Sequence, residues 1–316
     1  MSSSVRFPSP IGGVPSEADF APSIIFALAY AIISFGSLYR LARPRSRTIV
    51  TIGTLAHCIE HVVLYSLRAK QARNPSEAFN HGLTKYWQIT YAIDFLAIVG
   101  DVNNCMRCLL VKTTMASPEN LQLSSRENAQ GLAISPDGGD VPLTVDDPKK
   151  RDWYRQIFGI NGFFVFPPLV LGIIAGADYV PAETDPSKAN TVYTFRYAVA
   201  GMAFVLITFS QIISLYGYTR VPTIRKGSCI IAFVVASLLN VGTIYRLVVL
   251  RLHTTSLTST APGSLNSSSS KATFYVFQVS ADLLAAAILA NINVRERFST
   301  GPWGDIVATM KSRERK

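Results

Sequence analysis

The sequence contains few charged residues. Asp, Glu, Lys and Arg make up 16% of its 316 residues, whereas about 25% is usual for a soluble domain. The apolar fraction of 49% is ordinary, yet the mean hydropathy is positive at +0.27. What is missing is the charged surface of a soluble protein, which argues against the two soluble domains that the length alone would suggest.

Acidic residues are scarcer than basic ones, with 20 Asp and Glu against 30 Lys and Arg and a net charge of +10. A basic balance is common in nucleic-acid-binding proteins, but most basic residues here lie in loops between apolar runs, so we expect no nucleic acid partner. The few cysteines lie inside apolar runs, which argues against the disulfide framework of a secreted protein. They are Cys58, Cys105, Cys108 and Cys229.

Several catalytic and cofactor-binding motifs are missing. The chain has no phosphate-binding glycine loop and no Gly-x-Ser-x-Gly elbow, which argues against common nucleotide-binding and serine hydrolase sites. His57, Glu60 and His61 fit the H-x-x-E-H pattern of a zinc site, but the sequence shows no clear third ligand. The last apolar run contains no lysine for a retinal Schiff base. We therefore expect no metal and no cofactor.

Apolar residues are gathered into seven runs of about 20 residues, the length that an α-helix needs to cross a hydrocarbon core of about 30 Å. This pattern predicts an all-α polytopic membrane protein with a bundle of seven transmembrane helices. No cleavable signal precedes the first run, so we expect that run to direct insertion and the endoplasmic reticulum to be the location. The runs lie near 21–39, 49–67, 86–111, 156–176, 194–216, 228–250 and 273–292.

The loops differ in basic charge. Alternate loops and the C-terminal tail hold 19 of the 30 Lys and Arg residues and the opposite side holds 8, which predicts a lumenal or outside N-terminus and a cytosolic C-terminus. The expected organisation is a polar segment 1–20, a membrane domain 21–292 with a flexible cytosolic loop 112–155, and a basic cytosolic tail 293–316. The sequon at Asn266 then falls on the lumenal side, as a candidate glycosylation site. In the fourth run, Pro167 and Pro168 predict a kink or break in the helix.

Four acids lie inside the runs, where ionisable groups are costly and are functional candidates by default. They are Glu60, Asp94, Asp101 and Asp282. A rise of about 1.5 Å per residue places Glu60, Asp94 and Asp282 at similar depth, where they can converge on one cavity. Alternatively, each acid is a structural residue paired with an arginine or with the backbone, and Arg246 in the sixth run is the most suitable counter-ion.

Aromatic residues share helix faces with these acids. Trp87, Tyr91, Asp94 and Asp101 recur at steps of three or four residues, and Tyr275 precedes Asp282 in the last run. Such a stripe is either packing or the wall of a binding site. We predict that Glu60, Asp94 and Asp282 are catalytic. The predicted substrate contacts are Trp87, Tyr91, Asp101, Tyr275 and Arg246.

In architecture the chain resembles the integral-membrane terpene cyclases of fungal meroterpenoid pathways: seven helices, similar length, and intramembrane carboxyls beside aromatic residues. The resemblance implies an isomerase of secondary metabolism that protonates and cyclises a farnesyl-type, optionally epoxidised, lipophilic intermediate taken from the bilayer. Other pathway enzymes are the protein partners that it implies. Asp94 or Glu60 would then donate the proton and Asp282 would be its partner. Trp87, Tyr91 and Tyr275 would line the path of the carbocation.

A second resemblance is to the fungal lipid-translocating exporter-like family. That family has Glu followed by Tyr and Arg in its second span and Tyr-Arg at the end of its sixth. Glu60, Tyr65 and Arg68 are similar to the first pattern, and Tyr245 with Arg246 is similar to the second. This resemblance implies the alternative function, a lipid-translocating transporter or a seven-helix receptor-like protein.

Overall fold

The computed structural model describes residues 5–77, 80–115 and 146–305, so most of the predicted loop 112–155 and the end of the predicted tail lie outside the described residues. The described part is mostly helical. Its α-helices are α1 Phe20–Ala42, α2 Ile52–Arg73, α3 His81–Ile93, α4 Phe95–Thr113, α5 Pro148–Phe163, α6 Phe166–Ala177, α7 Pro186–Arg220, α8 Lys226–Val249, α9 Ser268–Phe274, α10 Ser280–Asn291 and α11 Val294–Arg297. A π-helical turn, Tyr275–Val279, joins α9 to α10. Two short strands, β1 Phe7–Pro8 and β2 His253–Thr254, pair antiparallel.

Six helical segments in the described residues are long and apolar enough to cross a membrane. Four of them contain one α-helix each, namely α1, α2, α7 and α8. The fifth contains α9 and α10 with the π-helical turn between them, and the sixth contains α5 and α6. The prediction of a helical, multi-pass membrane protein is confirmed at this level. The outer face of α1 is consistent with a surrounding bilayer. Its side chains Ile25, Leu28, Ile32 and Phe35 are all exposed, and such a face needs an apolar solvent around it.

The predicted run 86–111 is not one of these six, because it is formed by α3 and α4 and carries polar residues. Protein surrounds α4, which contacts α2, α5, α7 and α8. Asp101 and Asn103 of α4 are accordingly buried inside the bundle. A helix enclosed by other helices can carry polar side chains that a lipid-facing helix cannot.

Two interruptions shape the bundle. At Asp94 the carboxylate accepts a hydrogen bond from the backbone N–H of Phe95 (2.7 Å), which diverts that N–H from its usual helical partner and separates α3 from α4. The other interruption precedes Pro167 and Pro168, where α5 ends at Phe163 and α6 begins at Phe166. The predicted proline break is confirmed.

The N-terminal segment covers one end of the bundle. Phe7 and Ile11 are buried, and the backbone of Pro8 accepts a hydrogen bond from the hydroxyl of Tyr179 (2.8 Å). Arg196 of α7 donates to the carbonyl of Ser9 (3.1 Å). The segment that the sequence marks as polar is therefore packed onto the helices.

Candidate functional site

A buried ion pair lies at the centre of the bundle. Arg246 of α8 donates through Nη2 to Oδ1 of Asp94 at the break between α3 and α4. The same Nη2 is 3.9 Å from Oδ2 of Asp282 in α10. One guanidinium therefore faces two carboxyls, and the prediction that Arg246 is a counter-ion for an intramembrane acid is confirmed.

His61 of α2 brings the third predicted acid to this pair. Its Nδ1 is 3.2 Å from Oε2 of Glu60, and its Nε2 is 3.8 Å from Oδ2 of Asp94. His61 and Arg246 thus link Glu60, Asp94 and Asp282 into one cluster. The prediction placed all three acids on one cavity, whereas Glu60 and Asp94 line the cavity described below and Asp282 does not. Their convergence is a structural observation, and their catalytic roles stay predictions.

The two histidines of α2 stack, with ring centroids 3.9 Å apart. Nδ1 of His57 is 3.1 Å from the carbonyl oxygen of Asp94. Because a carbonyl only accepts, this nitrogen carries the proton and Nε2 holds a lone pair. That buried Nε2 has no hydrogen-bond partner among the described residues. Tyr30 of α1 packs over His61, with centroids 4.8 Å apart, and covers the pair.

A cavity of about 420 Å³ opens beside this cluster, between α2, the α3–α4 break and the start of α6. Its polar side is formed by His57, Glu60, Thr90 and Asp94. The rest of the wall is apolar and includes Ile93, Leu96, Val165 and Leu169. The cavity is open to the outside of the bundle, and the Glu60 side chain is 37% exposed there.

Hydrogen-bond donors hold Glu60 in place. The hydroxyl of Tyr86 donates to Oε1 (2.7 Å), and the hydroxyl of Thr90 donates to the same oxygen (3.0 Å). Nδ1 of His61 lies 3.2 Å from Oε2 and also 3.0 Å from the carbonyl oxygen of His57. Glu60 is thus a positioned carboxyl at the cavity and can exchange a proton with His61 behind it.

Asp101, a predicted substrate contact, does not line this cavity. Its carboxylate accepts from the backbone N–H of Thr54 (2.5 Å) and from the hydroxyl of Thr54 (2.7 Å). A Cβ on Gly53 would come within 2.8 Å of Oδ1 of Asp101. The absent side chain at Gly53 lets α2 approach α4 closely, and Asp101 fastens that contact.

The predicted aromatic wall is also not part of this cavity. Trp87 donates through Nε1 to Oε1 of Gln71 (2.9 Å), and Tyr91 is buried edge-on against Phe274, with centroids 5.1 Å apart. The hydroxyl of Tyr275 is bonded elsewhere, as described next. The shared face of Trp87 and Tyr91 therefore packs inside the bundle, and Tyr86 is the aromatic residue bonded to Glu60.

The end of the bundle that the N-terminal segment covers contains a second charged network. Asp19, with 0% exposure, accepts from Arg68 (2.8 Å), from Lys271 and from the hydroxyl of Tyr275 (3.0 Å). Arg68 also donates to the carbonyl of Gly12 (2.5 Å). Hydropathy does not indicate this network, since Asp19 lies in the polar segment before the first apolar run. Its groups bond to one another, which is typical of a structural clamp.

The candidate glycosylation site lies at the same end. The amide nitrogen of Asn266 donates to the carbonyls of Leu257 (2.9 Å) and Ser259 (2.8 Å). Its Oδ1 accepts from the backbone N–H of Val14 (2.7 Å). In this geometry Asn266 fastens its loop to the N-terminal segment.

In comparisons with protein-family models, curated proteins and solved structures, nothing matches the chain. Functional interpretation therefore depends on the geometry of the site and the chemistry of its residues.

Proposed function

We propose that the chain crosses the endoplasmic reticulum membrane seven times, with α3 and α4 together as the third span, a lumenal N-terminus and a cytosolic C-terminus. Contacts between loops support this arrangement. Segments expected on the cytosolic side meet one another: the N–H of Ile49 donates to the carbonyl of Pro302 (3.0 Å) and Arg225 donates to the carbonyl of Glu296 (3.0 Å). Segments expected on the lumenal side also meet, since β1 pairs with β2.

We further propose that the protein binds a lipophilic small molecule in the cavity beside Glu60 and exchanges a proton with it. The observation that carries this proposal is one carboxyl, held by Tyr86 and Thr90, on the wall of an otherwise largely apolar cavity of about 420 Å³. Ligand cavities commonly measure about 300–1,000 Å³. Because the opening faces the outside of the bundle, an apolar substrate can enter from the bilayer.

The three acids are suited to different roles. Oδ1 of Asp94 is engaged by Arg246 and by the backbone N–H of Phe95, which leaves this carboxyl less available to a substrate than Glu60. Asp282 is not among the residues that line the cavity. Glu60 is therefore the best placed donor, and His61, between Glu60 and Asp94, can replace the proton that Glu60 gives up.

The resemblance to integral-membrane terpene cyclases implies one such proton-exchange reaction, the acid-initiated cyclisation of a prenylated intermediate. Glu60, once protonated from His61, gives its proton to an epoxide oxygen or a terminal alkene, and the carbocation closes rings by attack of the chain's own double bonds. Loss of a proton from carbon to the Nε2 lone pair of His57 ends the reaction, and the site is reset when His57 releases this proton and His61 takes one up. One proton enters and one leaves, so the product is an isomer of the substrate.

The test is an assay of microsomes that contain the protein, with a farnesylated phenol or its epoxide as substrate. Glu60→Gln should lower the rate about a hundredfold or more, the usual contribution of a general acid. Glu77→Gln, a change of the same type at a surface ion pair with Lys70, is the control and should cyclise at the wild-type rate. Wild-type turnover by Glu60→Gln would refute the assignment of Glu60.

A transporter or receptor is the second candidate, and the interrupted helices favour it. Asp94 lies at the α3–α4 break, and Asp282 follows the π-helical turn Tyr275–Val279. Interrupted helices surround the midplane binding sites of many transporters, and π-turns are frequent at functional sites. Deletion of the gene separates the two functions. Accumulation of one linear precursor supports the enzyme, whereas altered sensitivity to lipophilic toxins with unchanged metabolites supports transport.

A further inference from the structure

A large groove lies at the end of the bundle opposite the Asp19 network. It runs between the C-terminal half of α1 and the end of α10 and has a volume of about 840 Å³. We call it the basic groove and define it by Ile32, Gly36, Arg40, Arg43, Arg45 and Asn291, which all line it. It is separate from the cavity beside Glu60, with which it shares no lining residue.

One end of the basic groove is positively charged. Arg40, Arg43 and Arg45 line it, and no acidic residue is among its lining residues. Within the described ranges no ion pair joins these arginines to a carboxylate. Arg40 donates to the carbonyl of Asn291, whereas Arg43 stacks on the ring of Tyr39 at 4.4 Å and its side chain donates no hydrogen bond to another described residue.

The other end of the groove is apolar and open. Ile32 is 72% exposed, and a Cβ placed on Gly36 would meet nothing within 4 Å. A hydrocarbon chain can therefore lie along α1 past Gly36 and reach the arginines. An apolar channel that ends at three guanidinium groups is complementary to an amphiphile with a phosphate head, because arginine binds phosphate oxygens with two parallel hydrogen bonds.

We propose that the basic groove binds one anionic phospholipid, with its phosphate at Arg43 and Arg45 and an acyl chain beside Ile32 and Gly36. In the topology proposed above this end faces the cytosolic leaflet, where anionic lipids are concentrated. The basic groove takes no part in the chemistry at Glu60. An experiment that refutes lipid binding there would therefore leave the proposed function at Glu60 unaffected.

Binding can be measured by native mass spectrometry of the full-length protein in detergent, titrated with phosphatidylserine or phosphatidylcholine. We expect the wild type to retain one phosphatidylserine and to prefer it over phosphatidylcholine. The double variant Arg43→Gln/Arg45→Gln should bind phosphatidylserine about twenty-five-fold more weakly, since each basic residue near an anionic lipid contributes about a fivefold effect. Arg220→Gln/Lys226→Gln removes two exposed cations elsewhere and should leave binding unchanged. An equal loss in both double variants would overturn the proposal.

A second variant tests the apolar end without changing charge. Gly36→Leu places a side chain in the open channel and should weaken phosphatidylserine binding, while the exposed position keeps the fold intact. Glycerol phosphate, which has the head but no chains, should not displace the bound lipid. Displacement by glycerol phosphate at similar concentration, or unchanged lipid binding in Gly36→Leu, would show a site for soluble phosphate and not for a lipid.

Discussion

Arg246 of α8 and Asp94 at the α3–α4 break form an ion pair that is buried on both sides. The pair joins helices that are far apart in the sequence. A charge left alone in a bilayer-spanning bundle is costly because neither water nor lipid compensates it. The cost of removing one partner therefore differs from the cost of removing both.

We expect Arg246→Gln to destabilise the protein by about 3–5 kcal/mol, the usual cost of breaking a buried pair. Asp94→Asn should cost less, because Asp282 is 3.9 Å from the same guanidinium and remains to compensate it. The double variant Asp94→Asn/Arg246→Gln should be more stable than the sum of the single effects predicts. Chemical unfolding of the purified protein in micelles gives the three free energies, and strict additivity would contradict the pairing.

A close helix contact gives a second prediction. A Cβ on Gly176 of α6 would overlap Cγ1 of Ile89 in α3 and lie 2.8 Å from the backbone nitrogen of Ile89. Since the backbone of α3 cannot move aside, Gly176→Ala should force the helices apart and cost about 1–3 kcal/mol.

Gly159 of α5 is the matched control for this change. A Cβ there would meet nothing within 4 Å, so Gly159→Ala should be neutral or stabilise the helix by up to about 1 kcal/mol. Thermal unfolding in the same detergent compares the two variants. Equal melting temperatures would show that α6 and α3 are not in close contact.

Much of the fold follows from hydropathy and proline chemistry. Runs of apolar residues predict the helices because length and composition decide whether a segment can cross a bilayer. The break before Pro167 follows because proline lacks an N–H. The break at Asp94 could not be predicted in this way, because it depends on a side chain that takes the N–H of Phe95 within a run of helical periodicity.

The candidate site could be predicted in part. Depth along the helices predicts that Glu60, Asp94 and Asp282 lie close together, and charge identifies Arg246 as a partner, but depth does not show that Asp282 lies outside the cavity. Periodicity places residues on a face but does not say which neighbour that face meets. It predicts Trp87 and Tyr275 as the wall of a site, whereas in the structure Trp87 bonds to Gln71 and Tyr275 to Asp19. The i, i+4 spacing of His57 and His61 was the one available sign of the stacked histidines.

The Asp19 network provides a third prediction. Asp19→Asn leaves Arg68 and Lys271 buried without a carboxylate among the described residues, and should cost about 3–5 kcal/mol. Glu17→Gln makes the same chemical change two residues earlier at an exposed position and should have little effect. Melting temperature, together with proteolysis of the N-terminal segment, measures the change. Similar behaviour of both variants would mean that Asp19 does not hold this segment on the bundle.

The sequence predicts that Asp101 contacts the substrate, whereas in the structure Asp101 bonds to Thr54. As a substrate contact it would affect binding, whereas its bonds to the N–H and hydroxyl of Thr54 indicate a structural role between α2 and α4. We expect Asp101→Ala to lower the free energy of unfolding by about 1–3 kcal/mol, because the buried N–H of Thr54 loses its acceptor. The KM of the folded fraction should stay at the wild-type value. A raised KM with unchanged stability would instead support direct contact with the substrate.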